Sequence, residues 1–422
     1  MSRCPPTEAG KPRYSIGQII RQFGTSYIKR YQPDYRTRTI LEHIANCKTA
    51  ALGGHKTVCK ACNNTIYSYN SCGDANCPQC QNIKKELWID KMSHHLLPVK
   101  HFHLIFTLPH ELNDLIFYNK KRLYGLLFQV AAKTVQTILG GKIGMVSTLH
   151  SWGSNLSFHP HLHVIVAAGS WQDGIWQPSN PSNPRCFCNA RKLSATYKEL
   201  FLKSLLSILE NESLHWEKTN IQAPTIFPKM QKMYHQIDRK KWTVRIENPV
   251  LGVQQIIEYL ARYVRRVALT NARLEEVTKD KVVINYKQYA LQKKGQPPPM
   301  GKREFEGEKF LQQFTQHFMP RGFHKVRYYG FYAFGAKQQK AVIYQHLTNQ
   351  GQVPYEKPSK RELVKKMLGE DMDCCTNCGV YNALETSEIA TNPSLLFFIT
   401  KQGSPLSRAG PMPKIPLVSV VF

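Results

Sequence analysis

Three groups of side chains combine residue type and spacing in ways that chemistry can use: paired cysteines, alternating histidines, and two tyrosines one helical turn apart. Cys59-Lys60-Ala61-Cys62 and Cys77-Pro78-Gln79-Cys80 are two CxxC knuckles with fourteen residues between them. A two-residue gap lets one tight turn present both sulfurs to a single ion, and two such turns complete a tetrahedron at a Zn–S distance of ~2.3 Å. The spacing therefore predicts one closed, structural zinc site at Cys59, Cys62, Cys77 and Cys80, with no position open for chemistry. Cys72 and His55 are left over, although Cys72 could replace one of the four. Further along, Cys374 or Cys375 with Cys378 offers half a zinc site. Of the 12 cysteines, five lie within Cys59–Cys80 and three within Cys374–Cys378, which is a metal pattern and not a disulfide scaffold.

The histidines lie in Phe158-His159-Pro160-His161-Leu162-His163-Val164-Ile165-Val166. In a strand, alternate side chains share a face, so His161 and His163 point one way and Leu162, Val164 and Val166 the other. Two imidazoles on one face of a strand make half of a divalent-metal site, which can polarise a phosphodiester oxygen. Pro160 sets His159 out of register. A third ligand is open among His103, His150, Gln255 and Glu258. The tyrosines fall in Gly252–Ala268. At 100° per residue, Val253, Ile256, Ile257, Leu260, Val264, Val267 and Ala268 share one arc of about 120°. Gln255, Arg262 and Arg266 lie on another flank, and Tyr259 and Tyr263 sit at the border. That placement suits nucleophiles with packed rings and hydroxyls toward a basic surface, where Arg262 and Arg266 hold a phosphate. The alternative is that both tyrosines simply cap the core.

The elements that must position these groups can be read in outline. Residues 16–51 predict two short helices, with Ile16, Ile19, Ile20, Phe23 and Tyr27 at helical spacing. A helix from Ile83 to Leu97 ends at Pro98. His101–Thr107 alternates as a buried strand, a long helical region covers 111–139, and Met145–Trp152 and His161–Ala167 read as neighbouring strands. A loop rich in Trp, Pro, Ser and Asn spans 171–190, and helices return at 194–211 and 253–268. Beyond them come a strand at Val282–Tyr286, a helix around 304–318 and an aromatic strand at Val326–Phe334. The fold class expected is α+β. Its parts are a helical and zinc-ribbon DNA-binding domain (1–97), a catalytic domain (98–270), a basic module (271–350) and a polar tail with a cysteine cluster (351–422).

With 422 residues, two or three domains are the default. Lys plus Arg number 57 against 29 Asp plus Glu, so the chain carries a net charge of +28. A surplus of that size suits a polyanionic partner, of which nucleic acid is the commonest. No apolar run approaches the ~18 residues of a membrane span, and Met1-Ser2-Arg3-Cys4-Pro5 lacks a secretion signal, so an intracellular protein with no membrane partner is expected.

Taken together, the motifs resemble the two-tyrosine HUH transposases of bacterial insertion sequences that move by rolling-circle replication. The resemblance rests on Ala51-Leu52-Gly53-Gly54-His55 with the knuckles and Tyr69-Asn70-Ser71-Cys72, and on Leu149-His150-Ser151-Trp152-Gly153-Ser154-Asn155-Leu156 leading into His159-Pro160-His161-Leu162-His163. It continues through Tyr259-Leu260-Ala261-Arg262-Tyr263 and the run from Phe318 to Gly330. The resemblance implies an antiparallel nuclease sheet, a catalytic metal (Mg²⁺ or Mn²⁺) on His161 and His163, and Tyr259 and Tyr263 joined to DNA 5′ ends. It also implies single-stranded DNA as partner and a bacterial, nucleoid-associated cytoplasmic location. Asp74-Ala75-Asn76 departs from the family, which usually carries Asn-Arg-His there. A plasmid replication initiator or relaxase would share the chemistry. A non-catalytic zinc DNA-binding protein would use the same histidines and tyrosines for packing. No GxxxxGK[ST] phosphate loop is present, consistent with a reaction that needs no nucleotide cofactor.

Overall fold

The structure is a computed structural model that describes residues 12–211, 214–216, 219–221, 233–247, 249, 267–293, 295–351, 353–369 and 371–399. Tyr259, Tyr263, Arg262, Arg266, Gln255 and Glu258 lie outside the described residues, as does the predicted helix up to residue 266.

The two helices expected near the N-terminus are α1 (Ile16–Tyr31) and α2 (Tyr35–Asn46). Ser15 and Asp34 start them by accepting from the backbone N–H of Gln18 and Thr37 at 3.1 and 2.7 Å, which satisfies donors that the first helical turn leaves unpaired. A hairpin, β1 (Gly54–Cys59) and β2 (Thr65–Tyr69), follows, and Cys80 caps α3 (Gln81–His95). Then come β3 (His101–Thr107), α4 (Asn113–Tyr118) and α5 (Lys120–Leu139). The single helical region expected over 111–139 is broken at Asn119. Its side chain donates to the Leu115 and His215 carbonyls and accepts from the His215 N–H.

β4 (Lys142–Trp152), β5 (Phe158–Gln172) and β6 (Ile175–Pro178) form a continuous meander. β6 occupies the start of the expected 171–190 loop. Asp173 and Gly174 both take positive φ (47° and 80°), as a two-residue hairpin turn requires. After α6 (Ala190–Asn211) come β7 (Leu214–Trp216), β8 (Thr219–Ile221) and β9 (Val244–Ile246). The remaining elements are β10 (Leu274–Val277), β11 (Lys281–Lys287), β12 (Met300–Glu306), α7 (Gly307–Thr315), β13 (Val326–Gly330), α8 (Lys337–Thr348), α9 (Lys360–Leu368) and β14 (Leu384–Ile389).

The main sheet runs β13-β4-β5-β3-β9 with β6 beside β5, and all of its pairings are antiparallel. Period-two alternation gives it two unlike faces. One carries Phe102, Leu104, Phe106, Leu162 and Val164 and packs against Leu127, Phe128, Tyr197 and Phe201 of α5 and α6, all essentially without solvent contact. Each such side chain contributes roughly 1.5–3 kcal/mol by leaving water. The other face is covered at one end by Trp88, Ile89 and Met92 of α3 and by Ile343 of α8, which pack on Val146, Ile165 and Ala167. Its opposite end carries the histidines.

After residue 270 the described elements divide between two parts of the structure. Leu274, Val282, Ile284, Phe305, Phe310 and Phe314 share one core with Ile16, Ile20, Phe23 and Tyr27 of α1. β13 instead joins the main sheet, with Val326 opposite Thr148 and Gly330 opposite Gly144. The described part of the polar tail, up to residue 399, includes β14, which pairs along the whole of β1, from Gly54 with Ile389 to Cys59 with Leu384. Apolar side chains at the extreme of that segment explain why it docks. Ile399 packs against Gly24 of α1, and the Phe397 backbone is held on both sides by the Asn46 amide.

Candidate active site and metal centres

His150 of β4 stands directly opposite His161 of β5, and Thr148 opposite His163, so all three imidazoles leave the same face of one strand pair. Their metal-binding nitrogens lie within 4.8 Å of one another. The Nε2 atoms of His161 and His163 are 3.2 Å apart and converge on one point. Each ring is turned from behind. The Nδ1–H of His161 donates to the His159 carbonyl at 2.8 Å, which leaves Nε2 as its lone-pair nitrogen. His163 meets the Nε2 of His103 through its own Nδ1 at 2.9 Å, and the two rings stack with centroids 5.1 Å apart. Burial, with Arg245 and His161 adding like charge, pushes the His103 pKa down to about 3, so it stays a neutral acceptor. His150 is fixed by stacking on Trp152 at 4.5 Å. His150 and His163 are buried and His161 is half exposed, so the cluster opens to solvent through His161.

Three imidazoles held in this way, each ring oriented by a neighbour, are a donor set that fits a divalent ion. The structure therefore brings His161 and His163 together with one of the four candidates for third ligand, His150. His103 lies one shell out, and Gln255 and Glu258 are outside the described residues. β5 continues through Pro160, so His159 is in the strand, yet it is not part of the triad.

The turn between the two histidine strands, residues 153–157, is clamped by the segment expected to be a basic module. Arg303 donates to the Asn155 carbonyl at 2.9 Å and Arg273 to that of Ser154. Gln316 and His317 both donate to the Leu156 carbonyl, at 3.2 and 3.1 Å. The two arginines thus serve the scaffold. Beside the triad, Trp152 also lines a cavity of about 660 Å³ with Arg36, Lys84, Trp88, Lys91 and Tyr328.

The cysteines form two clusters, which corrects the single site predicted at Cys59, Cys62, Cys77 and Cys80. Cys77 and Cys80 group with Cys47 and Cys72, and Cys59 and Cys62 group with Cys375 and Cys378. Four thiolates around one zinc sit ~3.8 Å apart, given Zn–S of ~2.3 Å. In the first cluster, Cys72 and Cys80 are 3.5 Å apart and Cys47 and Cys80 3.1 Å, and none of the eight clustered cysteines is in a disulfide. His55 and Cys374 join neither cluster. Cys47 escaped the sequence reading because it stands alone at the C-cap of α2, 25 residues before Cys72.

A zinc-holding N-terminal part joined to an antiparallel sheet with a three-histidine centre defines the class: a zinc-binding protein of the α+β type with a candidate metal-dependent active site. Comparison with known proteins narrows it. Residues 144–340 match the family described as "Putative transposase", and residues 19–108 match "Transposase zinc-binding domain". The chain is 30% identical over 396 residues to "Putative transposase y4qJ" of Sinorhizobium fredii, covering 90% of this chain and 96% of the relative. It is 24% identical over 373 residues to the transposase for insertion sequence element IS801 of Pseudomonas savastanoi pv. phaseolicola, covering 83% and 84%. No solved structure matches. The chain belongs to the two-tyrosine transposase family of bacterial insertion sequences, as its motifs foretold. DNA is therefore a partner, the Cys47–Cys72–Cys77–Cys80 cluster fits the structural zinc of the family's zinc-binding domain, and no helix among the described residues is long and apolar enough to cross a membrane.

Proposed function

We propose that this protein nicks and rejoins single-stranded DNA at transposon ends by tyrosine transesterification, as part of rolling-circle transposition. The observation that carries the proposal is the His150–His161–His163 cluster, an oriented three-nitrogen site on a rigid strand pair, in a chain of this family. The hydroxyl oxygen of Tyr259 or Tyr263 attacks the scissile phosphorus. The bond from phosphorus to the 3′ oxygen breaks, and that oxygen leaves as a 3′-hydroxyl carrying the proton lost by the tyrosine. The 5′-phosphotyrosine conserves the energy of the broken bond, so the 3′-hydroxyl can prime synthesis or attack the adduct and rejoin the strand. A divalent ion, Mg²⁺ or Mn²⁺, held by the three histidines would polarise the phosphate and offset its developing charge. Arg262 and Arg266 are assigned to hold that phosphate.

Two features of the described residues support the reading. Val267 and Ala268, which follow the tyrosine segment directly, line the cavity beside Trp152. The same cavity combines cations (Arg36, Lys84, Lys91) with aromatic faces (Trp88, Tyr328), the pairing that holds a single strand by its phosphates and bases. The transposase relatives favour transposition over plasmid replication.

The test is adduct formation on labelled single-stranded DNA with Mg²⁺ or Mn²⁺. Wild type should give a denaturant-resistant protein–DNA adduct, each single Tyr→Phe variant should retain partial cleavage, and Tyr259→Phe with Tyr263→Phe should give none. An adduct that survives in the double variant would place the nucleophile elsewhere. No adduct from wild type would leave a DNA-binding protein whose tyrosines only pack.

A further inference from the structure

The cysteines at the end of the chain have no counterpart in either family match, since Cys375 and Cys378 fall outside both 19–108 and 144–340. They nevertheless meet Cys59 and Cys62. Sγ of Cys59 lies 3.7 Å from that of Cys378, and Sγ of Cys62 lies 3.8 Å from that of Cys375. These are the separations of thiolates on two edges of a zinc tetrahedron.

The backbone shows the same construction twice. In the first knuckle the Asn63 N–H donates to the Cys59 carbonyl at 2.8 Å, and the Cys59 N–H to the Asn64 carbonyl at 3.0 Å. In the second the Gly379 N–H donates to the Cys375 carbonyl at 2.8 Å, and the Cys375 N–H to the Val380 carbonyl at 3.0 Å. The residue after each second cysteine takes a left-handed conformation, Asn63 at φ 56° and Gly379 at φ 73°. Asn and Gly are the residues that adopt it at least cost. Two turns of identical hydrogen bonding, facing each other with four thiols between them, are not what incidental burial of cysteines produces. The strands repeat the relation, because β1 enters the first knuckle, β14 leaves the second, and the two pair antiparallel along their whole length.

We propose that Cys59, Cys62, Cys375 and Cys378 form a second structural zinc site, which completes a zinc ribbon from the two ends of the chain and fastens residues 371–399 to the N-terminal part. The first site, Cys47, Cys72, Cys77 and Cys80, is contained within residues 19–108 and is independent of it. Cys374 is not a ligand. It stands outside the four-sulfur group, with its Sγ 3.8 Å from the Cys375 carbonyl oxygen and its backbone in an isolated bridge with Tyr381.

The test is zinc content of the purified full-length chain by native mass spectrometry, with variants, and it is indifferent to whether DNA is cut. Cys375→Ser and Cys59→Ser should each lose one zinc relative to wild type. The two combined should still lose only one, because both belong to one ion. Cys374→Ser should lose none. Cys378→His, which preserves a zinc ligand, should keep the ion and the fold even if Cys378→Ser does not fold. Unchanged zinc in Cys375→Ser, loss of two ions in the Cys59/Cys375 double variant, or failure of Cys378→His alongside Cys378→Ser would each overturn the site.

Discussion

His103 shows how a side chain that would never touch the metal governs the one that would. Its Nε2 accepts from the Nδ1 of His163, which fixes both the proton and the tilt of that ring. Burial, with Arg245 and His161 nearby, pushes the His103 pKa down to about 3. We expect His103→Ala to raise the Mn²⁺ concentration for half-maximal DNA cleavage by roughly 10–100-fold, the usual effect of losing such a support, while DNA binding without metal stays near wild type. An unchanged metal requirement would mean that His163 holds its orientation unaided. His161 and His163 were legible in the sequence because the period of a strand is local. His150 was only one candidate among four, because its place opposite His161 depends on the pairing of β4 with β5, a register between strands that no spacing along one of them announces. Cys47 shows the same limit: a ligand from a helix end is visible only once the helix has been placed.

At the scale of elements, most helices and strands could be read from periodicity, and the misses have identifiable causes. β6 was hidden in a loop of turn-forming composition, although Asp173-Gly174 is the dipeptide that a tight hairpin selects. The 271–350 segment was expected to be a basic module, but its Arg273 and Arg303 donate to the carbonyls of the histidine turn. β13 ends at Gly330, with φ 59°, where an added Cβ would stand 1.6 Å from the Ile143 carbonyl oxygen. No side chain fits that approach, and a left-handed residue with a Cβ costs about 1–2 kcal/mol even without the clash. Gly330→Ala should therefore lower thermal stability by at least that amount and loosen β13 from β4. Gly335→Ala, with nothing within 4 Å of its Cβ, should melt close to wild type. Equal melting temperatures for the two variants, measured by calorimetry, would show that the β13 edge contributes little.

Over the whole molecule, the +28 charge was the plainest signal in the sequence, and it survives the assignment of individual arginines to the scaffold. Several phosphates must be neutralised when such a chain binds DNA, and the counterions released make affinity fall steeply with salt. Affinity for single-stranded DNA should drop by roughly 3×10²–2×10⁴ between 50 and 200 mM salt if six to ten phosphates are contacted, as fluorescence anisotropy would measure. A flat response would count against a phosphate-led interface. What no local reading could foresee is that the chain closes on itself, with the outer neighbour of β1 being the last strand of the described chain, β14. That connectivity imposes an order on synthesis. Cys62 and Cys375 are 313 positions apart, so a ribosome adding ~5–20 residues per second needs roughly 15–60 s between them. Throughout that interval the β1–β2 hairpin waits with one edge unpaired and half of a four-cysteine cluster exposed. A product cut short by a premature stop or a frameshift anywhere before residue 375 would keep that open edge permanently. The sheet is thus finished only on chains translated through β14, so the pairing of β1 reports that synthesis has passed residue 389.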